Sequence, residues 1–411
     1  MKIKSGFFIA IQISLFSVLS FGLIYLLSFT QVKKEYSSLH FIPEDALFVA
    51  RINSKEIGKD LLKEFISKDF FSKLSKKKQE GNVLDLSFID FNYPLYFFIQ
   101  NLNKKQIIVA SIQLSNPEAF IKSVNKPNQN SFGFIYNGKG YWIFNCSKND
   151  SDSLKQTIIS SKSNKWDGLL NSDHEIAFMS SFLDTKGIIS IHESTFQINA
   201  SIRSLSTNTK NYKKLKTDGF NFTISNPESI IKDFGINYFP SITNSFSGIQ
   251  SISINHKGYR APFFPNLTVL LQVDTSFNLQ ESISKINSSQ IEFDENKLYV
   301  AGAKFHVSKP QTNCFLFSYK ENKSTVLLNT ENIIESSGDL AQLVNFEDAP
   351  LMKMVLLSNS SISKIYSLIQ KTEKYNLSIS KANYSNRHTL TITIELKKPN
   401  SFFSEMLLMS I

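Results

Sequence analysis

The chain has 411 residues, of which 42% are hydrophobic, and it contains 36 Phe but only 15 Gly and 11 Pro. This composition excludes a wholly disordered or collagen-like protein. The formal net charge of +10 is spread along the chain, and the lysine clusters are not interleaved with aromatic residues as a nucleic-acid platform requires. We therefore expect no nucleic-acid partner.

The first element is an uncharged apolar stretch, residues 6–30. At ~1.5 Å per residue, one helix of this length crosses the ~30 Å hydrocarbon core of a bilayer. The run is longer than the ~7–15 residues of a cleavable signal core, and no A-x-A-like site follows it. We predict an uncleaved signal anchor followed by a tether to residue 40, with a cleaved signal peptide as the alternative. The protein would then be a single-pass inner-membrane protein with a cytoplasmic amino terminus and an extracytoplasmic bulk.

Residues 41–205 are predicted to form a first α+β module. Apolar alternation and helix caps predict a strand, a helix over 55–66, two strands, a helix, a hairpin, a third helix and three strands. Asn116 or Ser115 is predicted to cap the second helix, because Pro and Glu follow directly and favour the first helical turn. Ser151 or Asp152 is predicted to cap the third helix.

A polar linker over 206–216 is predicted to lead into a second module over 217–397. The order of elements repeats there, although residue identity is low. In this interpretation the hairpin predicted within residues 289–303 is the counterpart of the hairpin predicted within residues 131–146. The sequence therefore predicts an α+β fold: an N-terminal transmembrane helix followed by two tandem, similarly built α+β modules with largely antiparallel sheets.

The last segment, residues 398–411, is predicted to be an apolar helix. It contains Phe402 and Phe403 together with several Met and Leu residues, but it is too short to span a bilayer. Phe402 and Phe403 are candidates for contact with a partner or with the membrane. Packing of this helix onto the second module is the alternative.

A near match to a phosphate-binding loop occurs at residues 133–140, with the sequence GFIYNGKG. Gly140 stands where such a loop needs the Ser or Thr that holds magnesium, and the loop must lie between a strand and a helix. Here strand-like residues stand on both sides, so the segment predicts a β-hairpin with an exposed turn lysine, Lys139. No nucleotide or other cofactor is expected.

The sequence contains no motif of a known catalytic centre. The six His form no H-x-x-x-H or H-E-x-x-H pair, and no G-x-S-x-G occurs, so we predict no catalytic, cofactor-binding or metal-binding residues. One loop is a candidate contact with a partner or with the membrane, because Tyr259, Phe263 and Phe264 are apolar residues beside two prolines. Burial of the two Phe under their own loop is the alternative.

The chain has two cysteines, Cys146 and Cys314, which are far apart in sequence. Each lies in a strand-like run, where a free cysteine behaves as a small buried hydrophobic residue. We predict that both are buried and unpaired, although an extracytoplasmic site would permit a disulfide.

The phrase IPEDALFVARINSKEI, residues 42–57, resembles the opening of uncharacterised membrane-anchored envelope proteins of Bacteroidota. The resemblance implies an envelope location and identifies no catalytic residue. The leading hypothesis is a membrane-anchored envelope protein with a non-catalytic binding or assembly role, with an envelope protein as one candidate partner. The alternative is an extracytoplasmic enzyme, such as a hydrolase, with its active site between the modules.

Overall fold

The structure is a computed structural model that divides into two compact units, Met1–Ser181 (unit 1) and Phe182–Ile411 (unit 2). It describes residues 37–53, 88–103, 105–125, 131–144, 146–169, 174–192, 194–206, 211–215, 218–233, 247–260, 264–284, 291–294, 296–300, 302–320, 327–346, 353, 363, 366–367, 369–382 and 386–397. Across these residues, no helix has the length and apolar character needed to cross a bilayer. The predicted helices over 6–30, 55–66 and 398–411 lie outside them.

The described part of unit 1 contains one sheet of six strands. These are β1 (Phe48–Ile52), β2 (Leu95–Leu102), β3 (Lys105–Gln113), β4 (Ser131–Tyr136), β5 (Lys139–Phe144) and β6 (Ile176–Ser180). The strand order is β6–β1–β2–β3–β5–β4, and all neighbours are antiparallel. Its helices are α1 (Ser37–His40), α2 (Pro117–Val124) and α3 (Lys148–Ser160).

Both faces of the unit 1 sheet are covered by apolar side chains. On one face, Val109 of β3 belongs to a core cluster with Leu154 and Ile158 of α3. On the other face, the next residue, Ala110, belongs to a cluster with Phe120 of α2. Because successive strand residues point to opposite faces, the continuous apolar run of β3 fits a strand buried on both sides. Unit 1 is therefore a sheet between two helical layers.

The segment that resembles a phosphate-binding loop is a hairpin, as predicted. Strands β4 and β5 pair directly, and Asn137 and Gly138 both have positive φ, as a two-residue type I′ turn requires. The prediction of an exposed Lys139 is wrong, because only 2% of this residue is exposed. Its position as the first residue of β5 places it inside the sheet instead of in the turn.

Unit 2 contains fourteen described strands. These are β7 (Thr185–His192), β8 (Thr195–Arg203), β9 (Tyr212–Leu215), β10 (Phe220–Ser225), β11 (Ile249–Arg260), β12 (Phe264–Val273), β13 (Ile291–Asp294), β14 (Lys297–Val300), β15 (Ala303–Gln311), β16 (Cys314–Ser318), β17 (Leu327–Thr330), β18 (Ile334–Gly338), β19 (Thr372–Lys381) and β20 (Arg387–Leu396). Two described helices accompany them, α4 (Pro227–Asp233) and α5 (Leu279–Ser284).

Twelve of these strands form one antiparallel sheet. The order is β7–β8–β20–β19–β18–β10–β11–β12–β16–β15–β14–β13. The remaining two, β9 and β17, pair as a separate ribbon. Leu215 of this ribbon packs with Leu270 and Leu316 of the sheet. The ribbon therefore covers part of one face of the sheet.

The predicted α+β class with two similarly built modules is wrong, because the chain is mostly antiparallel β. The two described helices of unit 2 have seven and six residues, whereas strands such as β20 alternate Thr with Leu or Ile over most of their length. Strands β7 and β8, assigned to the first module, lie in unit 2, where β8 pairs with β20. Strand β9 lies within the predicted linker over 206–216.

The predicted equivalence of the hairpins at 131–144 and 291–300 is also corrected. In unit 1, the hairpin strand β5 pairs with β3. In unit 2, the strand that pairs with β12, the counterpart of β3, is β16 and not a strand of the β13–β14 hairpin. That hairpin pairs with β15 and extends the sheet beyond it. The order β6–β1–β2–β3–β5 thus has the same form as β18–β10–β11–β12–β16. The two units therefore share an order of five strands, and the β13–β14 hairpin is an addition found in unit 2.

Candidate binding site

Unit 2 contains a cavity of about 820 Å³. Its lining comes from the start of α5, the β13–β14 hairpin, and strands β15 and β16. The apolar lining residues are Phe277, Leu279, Phe293, Val307 and Phe315, and the polar ones are Asn278, Gln280, Asn296, His306, Ser308, Lys309 and Ser318. A volume of this size falls within the ~300–1,000 Å³ of small-molecule sites.

The start of α5 positions one wall of the cavity, formed by residues 277–280. The Asn278 side-chain oxygen accepts a hydrogen bond from the Glu281 N–H at 3.2 Å, and the Asn278 carbonyl accepts one from the Ser282 N–H at 3.0 Å. An Asn in this position satisfies helix donors that have no partner within the helix. Leu279 is then buried, and the ring of Phe277 lies 6.2 Å from that of Phe315.

The cavity has an apolar floor and a polar rim. Leu279, Val307 and Phe315 are buried, whereas Ser308 and Lys309 are exposed. Ser318 is the buried polar residue of the lining, and its hydroxyl donates a hydrogen bond to the Lys320 carbonyl. The contrast arises partly in the pairing of β15 with β16, whose register shifts between Ser308 and Gln311. Such an irregularity redirects side chains at the end of a strand pair.

Lys309 provides the positive charge of the rim. Its Nζ atom lies 4.8 Å from the ring centroid of Phe315, a distance at which a cation is attracted to the face of the ring. His306 also lines the cavity, and none of the described lining residues is a carboxylate. The lining therefore combines aromatic surface, neutral hydrogen-bonding groups and a cation.

The two described candidate contact residues, Tyr259 and Phe264, are not among the lining residues of this cavity. Tyr259 lies in an aromatic cluster: its ring centroid is 5.0 Å from that of His256 and 5.0 Å from that of Phe346. Phe264 is half-buried at the start of β12, where it pairs with Arg260. The remaining candidates, Phe263, Phe402 and Phe403, lie outside the described residues. Their contact with a partner or a membrane stays a prediction.

The two cysteines are free and buried, which confirms the prediction made from their strand-like surroundings. Cys146 lies in the main core cluster of unit 1, and Cys314 packs against Leu270 and Leu316 in unit 2. Burial raises the pKa of both thiols. Since the thiolate is the reactive form, burial makes both thiols poor nucleophiles.

Two histidines of unit 2 are buried as part of the fold. His388 Nδ1 accepts a hydrogen bond from the Leu205 N–H at 3.1 Å, and His256 Nδ1 accepts one from the Gly258 N–H at 3.2 Å. Burial lowers the pKa of both imidazoles below the usual value. An acceptor nitrogen must be unprotonated, so the native fold requires both rings to be neutral.

We expect unit 2 to lose stability as the pH falls below about 6.5, the ordinary pKa of histidine. A base with a lowered native pKa binds more protons when unfolded, so the free energy of unfolding decreases between the unfolded and native pKa values. Urea unfolding at several pH values between about 7.5 and 5 measures this slope, to which each histidine contributes at most one proton. His388→Gln should reduce the slope, because it removes one of the two buried imidazoles. An unchanged slope in His388→Gln would contradict the assignment.

A small hollow of about 160 Å³ lies beside the β9–β17 ribbon and includes an ion pair. Glu335 accepts hydrogen bonds from the Lys214 ammonium, from Thr330 Oγ1 at 2.9 Å and from Asn332 Nδ2 at 3.0 Å. Burial alone would raise the Glu335 pKa, but these donors together lower it. The carboxylate is thus held by three donors, which is typical of a structural network.

The cavity lined by Lys309 is therefore the candidate binding site within the described part of unit 2. Among the described residues, no three His, Cys, Asp or Glu side chains are placed to hold a metal ion. An amphipathic cavity of this kind can bind a small molecule through apolar contact and a few directed polar contacts. Comparison of the chain with family models, curated proteins and solved structures finds no match.

Proposed function

We propose that this protein is a membrane-anchored extracytoplasmic protein of the cell envelope with a non-catalytic binding role, and that the unit 2 cavity is its binding site. The observation that carries the proposal is a cavity of about 820 Å³ with an apolar floor and a polar rim. The apolar stretch over 6–30 supports the membrane location. A binding protein needs affinity and orientation, and aromatic side chains with amides and hydroxyls provide both.

The binding role can be tested by protection of a cysteine placed at the rim. Ser308→Cys introduces an exposed thiol beside the cavity, and the two natural cysteines are buried, so iodoacetamide should react mainly at the new thiol. With the full chain in phosphatidylcholine nanodiscs, we expect decyl glucoside, a neutral amphiphile, to slow the reaction in a saturable way. Ser153→Cys, on the exposed side of α3, is the matched control. If iodoacetamide reacts with Ser308→Cys at the same rate with and without decyl glucoside, the cavity does not bind a neutral amphiphile. If charged amphiphiles also leave this rate unchanged, the cavity is not the binding site.

The membrane location is tested on the untagged full chain. If residues 6–30 remain in the mature protein as a transmembrane helix, an alkaline carbonate wash should leave the protein in the membrane fraction. Protease added to spheroplasts should digest the large carboxy-terminal part, since that part is predicted to be extracytoplasmic. A mature amino terminus beyond residue 30 together with soluble release would refute the anchor.

A further inference from the structure

We infer that the unit 2 cavity selects anionic amphiphiles, with Lys309 as the residue that recognises the negative charge. This inference rests on the proposed binding function and adds the chemical class of the ligand. The Lys309 ammonium lies over the Phe315 ring, 4.8 Å from its centroid. The cation is thus held at the boundary between the polar rim and the apolar floor.

The charge of the lining favours an anion. Lys309 and His306 are the ionisable side chains among the described lining residues, and neither can supply a negative charge. Within the described part of the chain, no salt bridge involves Lys309. A ligand carboxylate, sulfonate or phosphate would make a charge-assisted hydrogen bond there, which is stronger than one between neutral groups.

The apolar residues at the floor of the cavity indicate that the ligand also has an apolar part. Phe277 and Phe315 lie with their ring centroids 6.2 Å apart, and Leu279, Val307 and Phe293 complete the surface. Burial of a hydrocarbon chain there gains free energy in proportion to its area. With the charged end at exposed Lys309 and the chain below it, the ligand is an amphiphile with a single negatively charged head.

The experiment compares amphiphiles that share one chain and differ in the head. Decanoate, decyl glucoside and decyltrimethylammonium are added below micelle formation, and each is assayed by protection of Ser308→Cys in the full chain in nanodiscs. We expect half-protection at about tenfold lower concentration for decanoate than for decyl glucoside, the factor typical of one charge-assisted hydrogen bond. Decyltrimethylammonium should protect least, because its head has the same sign as Lys309.

The Lys309 variants separate charge recognition from general binding. Lys309→Met keeps a chain of similar length, so it should bring decanoate and decyl glucoside to within about threefold of each other. Lys309→Arg should retain the preference for decanoate. If all three amphiphiles protect equally, or if Lys309→Met keeps the decanoate preference, charge selection is refuted while the binding function stands. If none protects, the binding function itself is refuted.

The anion can come from a free amphiphile or from a lipid headgroup, and nanodisc composition distinguishes the two. Replacing phosphatidylcholine by phosphatidylglycerol should protect Ser308→Cys without added decanoate if the cavity takes a membrane lipid. Protection by decanoate alone indicates a free amphiphile. Both results support recognition of an anionic head, and Lys309→Met should weaken the protection in either case.

Discussion

Replacing Phe120 by alanine should lower the free energy of unfolding of unit 1 by about 3–5 kcal/mol. The Phe120 ring is fully buried in α2, and it contacts Phe88 with ring centroids 5.4 Å apart. Its removal leaves a cavity where α2 meets the sheet. Both Trp residues of the chain, Trp142 and Trp166, lie in unit 1, so their fluorescence during urea unfolding reports on this unit.

Gly140 of the phosphate-loop-like segment can be combined with Phe120 in a double-mutant cycle. A Cβ atom at Gly140 would lie 2.8 Å from Leu114 Cδ2 and 2.9 Å from the Phe120 ring. Gly140→Ala should therefore destabilise unit 1, but less so in a Phe120→Leu background, where the contact with the ring is absent and only that with Leu114 remains.

The control for this cycle is Gly138→Ala in the turn. Gly138 has φ of +76° and no atom within 4 Å of the added Cβ, so its cost is a backbone cost only. It should not depend on Phe120. Additive effects of Gly140→Ala and Phe120→Leu would contradict close packing of α2 on the hairpin. The expected coupling would show that Gly140 serves the packing of α2 on the sheet.

Local signals in the sequence predicted the start of α2 correctly. Asn116 was one of two candidate caps, and its side chain accepts a hydrogen bond from the Ala119 N–H at 3.0 Å. The start of α3 was predicted too late, because Ser147 is the cap and the helix begins at Lys148. The missed signal was Ser147 followed by Asp150: Ser147 Oγ accepts a hydrogen bond from the Asp150 N–H at 3.2 Å, as an N-cap does, and donates one to Asp150 Oδ2 at 2.7 Å.

The order of strands could not be predicted in the same way, because it depends on pairing between distant segments. The hairpins at 131–144 and 291–300 look alike locally, since each has two apolar runs and a polar turn. Only the hairpin of unit 1 has a strand, β5, that pairs directly with β3. In unit 2 the corresponding position, beside β12, is taken by β16. Strand propensity does not decide which neighbour a strand takes.

The cavity was missed for a related reason. Phe277, Phe293 and Phe315 come from three separate segments, and each alone indicates an ordinary core residue. Lys309 stands next to Pro310 near the end of β15, where the sequence indicates a solvent-exposed turn. Their meeting in one cavity follows from the pairing of β15 with β16 and from the position of α5, which no local pattern specifies.

Removing the Glu335 carboxylate should destabilise unit 2 by about 2–3 kcal/mol, somewhat less than the loss of a fully buried ion-pair partner because the site is partly solvated. The side chains of Lys214 and Glu335 are 24% and 14% exposed. Glu335→Ala would leave Lys214, Thr330 and Asn332 without their acceptor. Urea unfolding followed by circular dichroism, with hydrogen exchange of the β10 and β18 amides, measures the loss.

The matched control is the exposed pair Lys374–Glu395, whose side chains are 67% and 36% exposed. Glu395→Ala should cost less than about 1 kcal/mol, as exposed ion pairs contribute little. Glu335→Leu combined with Lys214→Met should cost less than Glu335→Ala alone, because no buried charge then lacks a partner. Equal losses at Glu335 and Glu395 would contradict a buried network.

The same network predicts a response to acid that differs from the histidine effect. The lowered pKa of Glu335 means that the native state holds its carboxylate ionised at pH values where the unfolded chain is already protonated. Stability from this group is therefore fully present above the unfolded pKa and is lost as the pH falls through the native one. In Glu335→Gln, the loss of stability below about pH 4.5 should be smaller than in the natural protein, while the step near pH 6.5 assigned to the histidines should remain. If Glu335→Gln loses as much stability below about pH 4.5 as the natural protein does, the carboxylate is not held ionised by Lys214, Thr330 and Asn332.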